Sequence, residues 1–402
     1  MTTSSRKSTE TESARTGGGD SGQSDKPAAA ADAKRGLAAT AGRLGWGKKL
    51  LFLAVIAGAA LLLAEAGVRC LSPLQLGFRY ENGKFKPPKE FDLDRSRNAL
   101  LLHDVDHGPK PPGATRVVLL GDSYVAAWSV PIPATVGRRL EHHLHAAGAA
   151  DYEVIAIGQP EWGQREQLRA LQDLGPWAQP DWVVTLFLPF NDVRDNSPAL
   201  ERIAGEQYRA MARMRPGWTH VSADDAPWFW VRSSVLNQLL SHRLAVWSGH
   251  RGRSGIPIDY FVYAAEQDDL WQDAWRQTEE LIVQIRERSS GFGAKYAIVS
   301  ASAPHGVLGA DRGLRHLVKT YPGMREFEWD LDGPDRRLAR ICRLHGIPLL
   351  LLEPIFRAQT VEKGRRLHWQ YDGHWNIEGN DLAGQRIAQF ILASETGGDA
   401  RR

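Results

Sequence analysis

The chain has 402 residues, of which 43% are hydrophobic and 24% are charged, and its formal net charge is +3. This composition is typical of a globular protein, and no basic stretch with interleaved aromatic residues points to a nucleic-acid partner. The two cysteines, Cys70 and Cys342, are too few for a disulfide framework or a cysteine metal site, so the fold must be stabilised by its core.

The N-terminal part of the chain differs in composition from the rest. Residues 1–48 are mostly Ser, Thr, Gly, Ala and charged residues. They carry too few large apolar side chains to offset the entropy of ordering, which predicts a disordered tail. The run over residues 50–68 is close to the roughly 20 apolar residues that span a bilayer. We therefore predict one transmembrane helix over residues 49–69.

The charges that flank this run predict its orientation. Arg43, Lys48 and Lys49 precede it, which places the tail in the cytoplasm and the rest of the chain on the periplasmic or extracellular side. Two alternatives stay open. The triplet at residues 64–66, Ala-Glu-Ala, matches a signal-peptide cleavage pattern, and the run would then be removed. A buried core helix is the third interpretation.

After the apolar run, residues 70–115 contain several prolines and little periodicity, which predicts an extended linker along the domain. From residue 116 to 395, short apolar runs alternate with helical stretches. The predicted strands are 116–120, 152–157, 182–188, 296–300 and 347–352, and the predicted helices are 134–147, 164–174, 268–288, 335–345 and 378–393. Continuously apolar strands separated by helices predict a flavodoxin-like three-layer α/β/α fold with about five parallel strands.

An insert over about residues 194–260 interrupts this alternation. Its stretch 227–240, "PWFWVRSSVLNQLL", is dense in aromatic and aliphatic residues. It could form a lid, a surface that rests on the bilayer, or an added layer of core.

Polar residues and glycines follow the predicted strands. Ligands bind at the carboxyl ends of the strands in parallel sheets, so these residues are expected to converge at one edge. The blocks are Gly121-Asp122-Ser123-Tyr124 after the first strand, Gly158 and Gly163 after the second, Asn191 and Asp192 after the third, and Asp372 with His374 ahead of the last helix.

These four blocks, in this order, resemble those of the SGNH or GDSL hydrolase superfamily, and the resemblance covers roughly residues 77–393. It implies serine-based acyl transfer without a metal or organic cofactor. It also implies an oxyanion hole made by the backbone amide of Ser123, a backbone amide of Gly163 and the side-chain amide of Asn191. Gly158 is the second choice for the glycine, because either glycine can be aligned with the block.

The residue types suit this chemistry. A serine hydroxyl is a weak nucleophile at neutral pH and needs a base within hydrogen-bonding reach, so His374 would take the proton of Ser123. Asp372 would hold the other ring nitrogen. In most relatives the acid lies three residues before the histidine, whereas here it lies two before. This spacing is similar to that of SGNH-like proteins of bacterial polysaccharide O-acetylation.

Structural roles compete with the catalytic ones. Asp122 is expected to cap the following turn, and Asp192 to end a strand, as Asn191 could also do. Trp162 and Trp375 lie beside site blocks and could line a pocket, although most of the tryptophans are expected in the core.

The histidines of "RRLEHHLHAAG" form a rival constellation. His142 and His145 lie on one helical face, but no third metal ligand is apparent, which favours an ordinary exposed face.

The sequence therefore predicts a serine esterase that hydrolyses a small ester, an O-acetyl group on an envelope or secreted carbohydrate. One alternative is transfer of the acetyl group to a sugar hydroxyl, with a membrane-bound O-acyltransferase as partner. The other is a non-catalytic envelope protein that binds a glycan or a partner. Such a protein would not need the serine, aspartate, histidine and asparagine together.

Overall fold

The computed structural model describes residues 45–70, 79–81, 84–86, 89–214, 234, 236–237, 240 and 256–399. Most of the predicted tail and of the stretch 227–240 lies outside these ranges. The chain forms two compact units, divided between Gly67 and Val68.

The first unit contains most of helix α1, Trp46–Cys70, and ends within the last turn of this helix. This helix is long and apolar enough to cross a membrane, and none of its most apolar window is buried within the described residues. Large apolar side chains such as Leu62 and Leu63 are exposed along it. A signal sequence can also satisfy these criteria of length and hydropathy, so the helix is compatible with a retained anchor and with a cleaved leader.

The second unit contains the remaining elements. The strands are β1 Arg79–Glu81, β2 Lys84–Lys86, β3 Thr115–Gly121, β4 Tyr152–Gly158, β5 Trp182–Phe187, β6 Lys295–Ser300 and β7 Leu349–Leu351. The helices are α2 Ser123–Ala126, α3 Val136–Ala146, α4 Gln164–Ala178, α5 Pro189–Asp195, α6 Pro198–Met214, α7 Asp269–Gly291, α8 Ala310–Thr320, α9 Gly333–Leu344, α10 Leu352–Lys363 and α11 Ile377–Asp399.

Strands β3 to β7 form one parallel sheet with the order β4-β3-β5-β6-β7. Numbered from the first strand of the sheet, this order is 2-1-3-4-5, which is the flavodoxin-like arrangement. The predicted fold class is confirmed.

Alternate side chains of each strand point to opposite faces of the sheet. Helices cover both of these faces. Val118 and Val183 belong to a buried cluster with residues of α4, α7 and α9. Val117 and Val184 belong to a second cluster with residues of α3, α10 and α11. Both faces of the central strands are therefore dry, which explains why their sequences are apolar without alternation.

Several elements differ from the sequence prediction. Helices α2, α5, α6, α8 and α10 and the β1–β2 hairpin were not predicted. Strand β7 is shorter than predicted because the chain enters α10 directly at Leu352. Helix α5 begins at Pro189, a residue that suits the first turn of a helix, so the block with Asn191 lies on a helix rather than in a loop.

The register of the sheet brings the functional blocks to one edge. Gly121 pairs with Gly158 at the ends of β3 and β4, and Phe187 pairs with Ser300 at the ends of β5 and β6. Ser123 and Asn191 therefore follow strand ends that lie side by side, as the parallel arrangement requires.

Candidate active site

Ser123 is the first residue of the short helix α2, which follows a tight turn at the end of β3. Asp122 caps this helix, because its Oδ1 accepts the backbone N–H of Tyr124 at 2.9 Å. The side chain of Asp122 is fully buried, so its capping role is structural, as the sequence suggested. The turn holds the hydroxyl of Ser123 at the carboxyl edge of the sheet.

This turn leaves no room for side chains at two glycines. A Cβ on Gly121 would lie 2.4 Å from Cγ2 of Val125, and one on Gly158 would lie 2.7 Å from Cβ of the same valine. Both distances are below van der Waals contact, so a larger residue would displace α2 and the nucleophile with it.

His374 meets Ser123 across the fold. Its Nε2 lies 2.8 Å from Oγ of Ser123, and its Nδ1 lies 2.6 Å from Oδ1 of Asp372. We call this hydrogen-bonded series of Ser123, His374 and Asp372 the relay. The side chains of His374 and Asp372 are each 34% exposed, so a substrate can reach the relay from one side. The three groups are within the distances that proton transfer from a serine to a histidine requires.

The two-residue spacing between Asp372 and His374 has a local cause. Gly373 adopts a φ of +90°, a left-handed conformation that favours glycine. The resulting turn also lets Oδ1 of Asp372 accept the backbone N–H of His374 at 3.2 Å. The acid therefore reaches the ring of its histidine from within the same turn.

Tyr124 joins the two halves of the site, a role that the sequence did not reveal. Its hydroxyl donates to the carbonyl of Gly373 at 3.1 Å. Its ring packs edge-on against Trp375 at 4.8 Å and lies 5.1 Å from the ring of His374. The residue after the nucleophile thus contacts both neighbours of the base.

The charges of the site favour a protonated His374. Burial alone lowers the pKa of His374, but the hydrogen bond and the charge of Asp372, together with the charge of Asp122, outweigh it, so the pKa lies above its usual value. Burial raises the pKa of Asp372, but the hydrogen bond from His374 outweighs it and the net pKa is lowered. The raised pKa of His374 and the lowered pKa of Asp372 are both expected when a carboxylate stabilises an imidazolium.

Asn191 lines the same cavity as Ser123 and His374. Its Nδ2 donates to Oδ2 of Asp122 at 3.2 Å and to Oδ2 of Asp195 at 3.3 Å. An oxyanion formed at Ser123 would compete with these carboxylates for the amide protons. Its role as an oxyanion donor, like that of the Ser123 amide, stays a prediction.

The two candidate glycines do not line this cavity. The amide of Gly163 donates to Oε2 of Glu166 at 3.2 Å, and Gly163 caps the start of α4. Gly158 ends β4 beneath α2. A role for Gly163 as an oxyanion donor would require the bond to Glu166 to be exchanged, and it stays a prediction.

Buried acids lie behind the asparagine. Asp192 accepts hydrogen bonds from the side chain of Gln164 at 2.6 Å and from the amide of Leu188 at 3.2 Å, which fixes the junction of β5 and α5. Burial and the neighbouring Asp122 raise the pKa of Asp192 well above its usual value. Burial also raises the pKa of Asp195 to about 7, although the adjacent Arg194 opposes the shift.

The site opens into a cavity of about 740 Å³. Its wall includes the aromatic side chains of Phe190, Tyr260, Tyr321 and Trp369 and residues of the unpredicted helix α8. Neither Trp162 nor Trp375 is among the lining residues, which corrects the expectation from sequence. Trp375 is fully buried, and its Nε1 donates to Oγ of Ser302 at 3.0 Å.

The histidines of α3 have structural partners. Nε2 of His145 lies 2.7 Å from the carbonyl of Tyr152, and the ring of His142 packs against that of His143. Within the described ranges, no group of three or more His, Cys, Asp or Glu side chains is arranged to hold a metal ion.

No protein-family model and no curated protein matches the chain. Among solved structures, an acetyl xylan esterase is 13% identical, with 69% of this chain and 98% of its own covered and a TM-score of 0.37. A lipase/acylhydrolase from Enterococcus faecalis is 15% identical, with 70% and 96% covered and a TM-score of 0.36. A member of the lipolytic G-D-S-L family from Veillonella parvula is 10% identical, with 70% and 97% covered and a TM-score of 0.34. These values are too low to carry an argument about the activity of this chain.

The raised pKa of His374 predicts the pH dependence of any reaction that uses it as a base. Only neutral His374 accepts a proton, so kcat/KM for an aryl acetate should fall as the pH drops through its pKa, with a midpoint above the usual value of about 6.5. Asp372→Asn removes the charge that raises this pKa, so the midpoint should move to lower pH. The rate should also fall by about 10²- to 10⁴-fold.

The exposed Asp173 of α4 offers a matched control, since Asp173→Asn removes the same charge away from the relay. Its profile should coincide with that of the unaltered chain. A midpoint that stays in place in Asp372→Asn would show that Asp372 is not the partner of the base.

Proposed function

We propose that the chain is a serine ester hydrolase of the SGNH type, which cleaves a small acyl ester through an acyl-serine intermediate. The observation that carries the proposal is the relay from Oγ of Ser123 to Nε2 of His374 and from Nδ1 of His374 to Asp372, at 2.8 and 2.6 Å. Ser123 and His374, which are 251 positions apart, are thus held in the nucleophile–base–acid arrangement that acyl transfer requires.

In the first half of the reaction, Oγ of Ser123 attacks the ester carbonyl while its proton passes to Nε2 of His374. The tetrahedral intermediate places negative charge on the carbonyl oxygen, which the Ser123 amide and the Asn191 side chain would stabilise. The bond between the acyl carbon and the alcohol oxygen then breaks, and the alcohol leaves with the proton from His374. Ser123 remains acylated.

In the second half, water takes the place of the alcohol. His374 removes a proton from the water, which attacks the acyl carbon, and then returns the proton to Oγ of Ser123 as the carboxylic acid departs. Asp372 stays ionised throughout, since its role is to orient the ring and to stabilise the imidazolium. The lowered pKa of Asp372 is consistent with this role.

For the substrate, we propose an O-acetyl ester on a carbohydrate. The cavity of about 740 Å³ is lined by Ser123 and His374 and can take a small acyl group together with the alcohol portion of the ester. Aromatic side chains such as Trp369 and Tyr260 on its wall suit the apolar faces of sugar rings, while their polar atoms can bind hydroxyl groups. A sugar hydroxyl in place of water would convert the same acyl-enzyme into an O-acetyltransferase, for which a membrane-bound O-acyltransferase is the proposed partner.

Variants of the relay test the reaction. With full-length protein in detergent, Ser123→Ala and His374→Ala should each reduce acetate release from an acetylated oligosaccharide by about 10³-fold or more. Ser290→Ala, at an exposed serine of α7, should retain full activity. Near-normal turnover in either relay variant would overturn the proposal. Acetate transfer to added oligosaccharide that exceeds acetate release would identify a transferase.

We also propose that α1 anchors the chain in the cell membrane, with the α/β domain on the periplasmic or extracellular side. A reporter enzyme that folds only outside the cytoplasm should be active when fused after residue 402 and inactive when fused ahead of α1. An inactive C-terminal fusion would contradict export. The intact mass of the membrane-extracted protein distinguishes a retained anchor from a cleaved leader.

A further inference from the structure

The loop over residues 369–374, which carries the base and its acid, is bound by a carboxylate from the predicted linker over residues 70–115. Oε1 of Glu90 accepts the backbone N–H of Gln370 at 2.7 Å, and Oε2 accepts those of Tyr371 at 2.8 Å and Asp372 at 3.2 Å. Three successive amides thus converge on one side chain. Such a row of backbone N–H groups forms a binding site for an anion, which Glu90 supplies from within the chain.

Other described hydrogen bonds of this loop lie within the loop or at its far end. The N–H of Trp369 donates to the carbonyl of His374 at 2.8 Å, and the N–H of Gly373 donates to that of Trp369 at 3.2 Å, so these bonds close the loop on itself. Tyr124 holds one end through the carbonyl of Gly373. Glu90 binds the other end, directly before and at Asp372.

The segment around Glu90 is fixed to the domain. The ring of Phe91 packs on that of Trp369 at 5.2 Å. The amide of Asp94 donates to the carbonyl of Trp128 at 2.9 Å, and its carboxylate lies 3.4 Å from Nε2 of the buried His103. Hydrogen bonds to Ser96 and the neighbouring His103 lower the pKa of Asp94 to about 2, so this carboxylate stays charged.

We propose that Glu90 is a positioning residue for catalysis: its carboxylate fixes the backbone of residues 370–372 so that Asp372 holds the ring of His374 in line with Ser123. The inference rests on the proposed function. Among the described residues, the hydrogen bonds of Glu90 go to the loop backbone, so Glu90 acts on the relay through this loop. By this contact, the segment around Glu90 supports the loop that carries the base and its acid.

The pH profile separates positioning from simple stabilisation. The groups that face or act on His374 are Ser123, Asp372, Asp122, His368 and the ring of Tyr124. Of these, Asp372 makes the contact that most raises the pKa of His374. If Glu90 is removed and Asp372 moves away, the pKa of His374 should fall. A loss of overall stability alone would lower the amount of active protein without moving this midpoint.

Full-length protein in detergent is compared with three variants. Glu90→Gln keeps the shape but turns an amide N–H₂ towards the loop donors, and Glu90→Ala removes the acceptor. Asp92→Asn is the matched control, because Asp92 lies two residues away, is 86% exposed and pairs only with Lys89 among its described contacts. Folding of each variant is checked by circular dichroism and thermal unfolding.

We expect kcat for an aryl acetate to fall about tenfold in Glu90→Gln and further in Glu90→Ala, with KM little changed. The acid midpoint of kcat/KM should shift to lower pH in both variants, and Asp92→Asn should match the unaltered chain. The downfield proton resonance of Nδ1 of His374 should weaken or move upfield in the Glu90 variants. This resonance reports the bond to Asp372 without requiring turnover.

An unaltered kcat, midpoint and resonance in Glu90→Ala would overturn the positioning role while leaving the esterase intact. A lower yield of active protein with unchanged midpoint and resonance would also overturn it, since Glu90 would then only stabilise the fold. If the unaltered chain itself hydrolyses no ester, the proposed function fails instead, and the resonance still decides whether Glu90 controls the bond between His374 and Asp372.

Discussion

The hydrogen bond between Ser123 and His374 joins residues that are 251 positions apart, and much of the structure serves to form it. The parallel sheet places the end of β3 at its carboxyl edge, and the buried cluster on one face fixes both α2 and α11 against that sheet. Tyr124 then binds the turn of Gly373 directly. A serine hydroxyl is a weak nucleophile and reacts only when its base is held within hydrogen-bonding distance. The packing of the core therefore fixes the distance on which the site depends.

Much of the fold could be predicted from the sequence because it depends on local patterns. Strands β3 to β6 are largely apolar runs, and each of β3, β4 and β5 is followed by a recognisable polar or glycine block. Helix α5 was missed because a Pro-Phe-Asn-Asp sequence is equally typical of a turn. Helix α8, with a polar sequence, gave no signal that it would form part of the cavity wall.

The relay was predictable and its supports were not. Ser123, His374 and Asp372 belong to blocks with a familiar order, whereas Tyr124 and Glu90 act through contacts across 249 to 282 positions. Nothing near Glu90 in the sequence indicates a partner, because a glutamate beside prolines in a linker is ordinary. The choice between Gly158 and Gly163 was ambiguous for a related reason. The backbone amide of Gly163 donates to Glu166, and this contact could not be inferred from the positions of the glycines in the sequence.

The central claim is that Ser123 carries the acyl group between the two halves of the reaction. Full-length protein mixed with an activated acetyl ester, quenched in acid during turnover and digested for mass spectrometry, tests it most directly. We expect one acetyl group on the peptide that contains Ser123, and none on that peptide in Ser123→Ala. Turnover of the ester with no acetylated Ser123, or with the acetyl group on another residue, would contradict it.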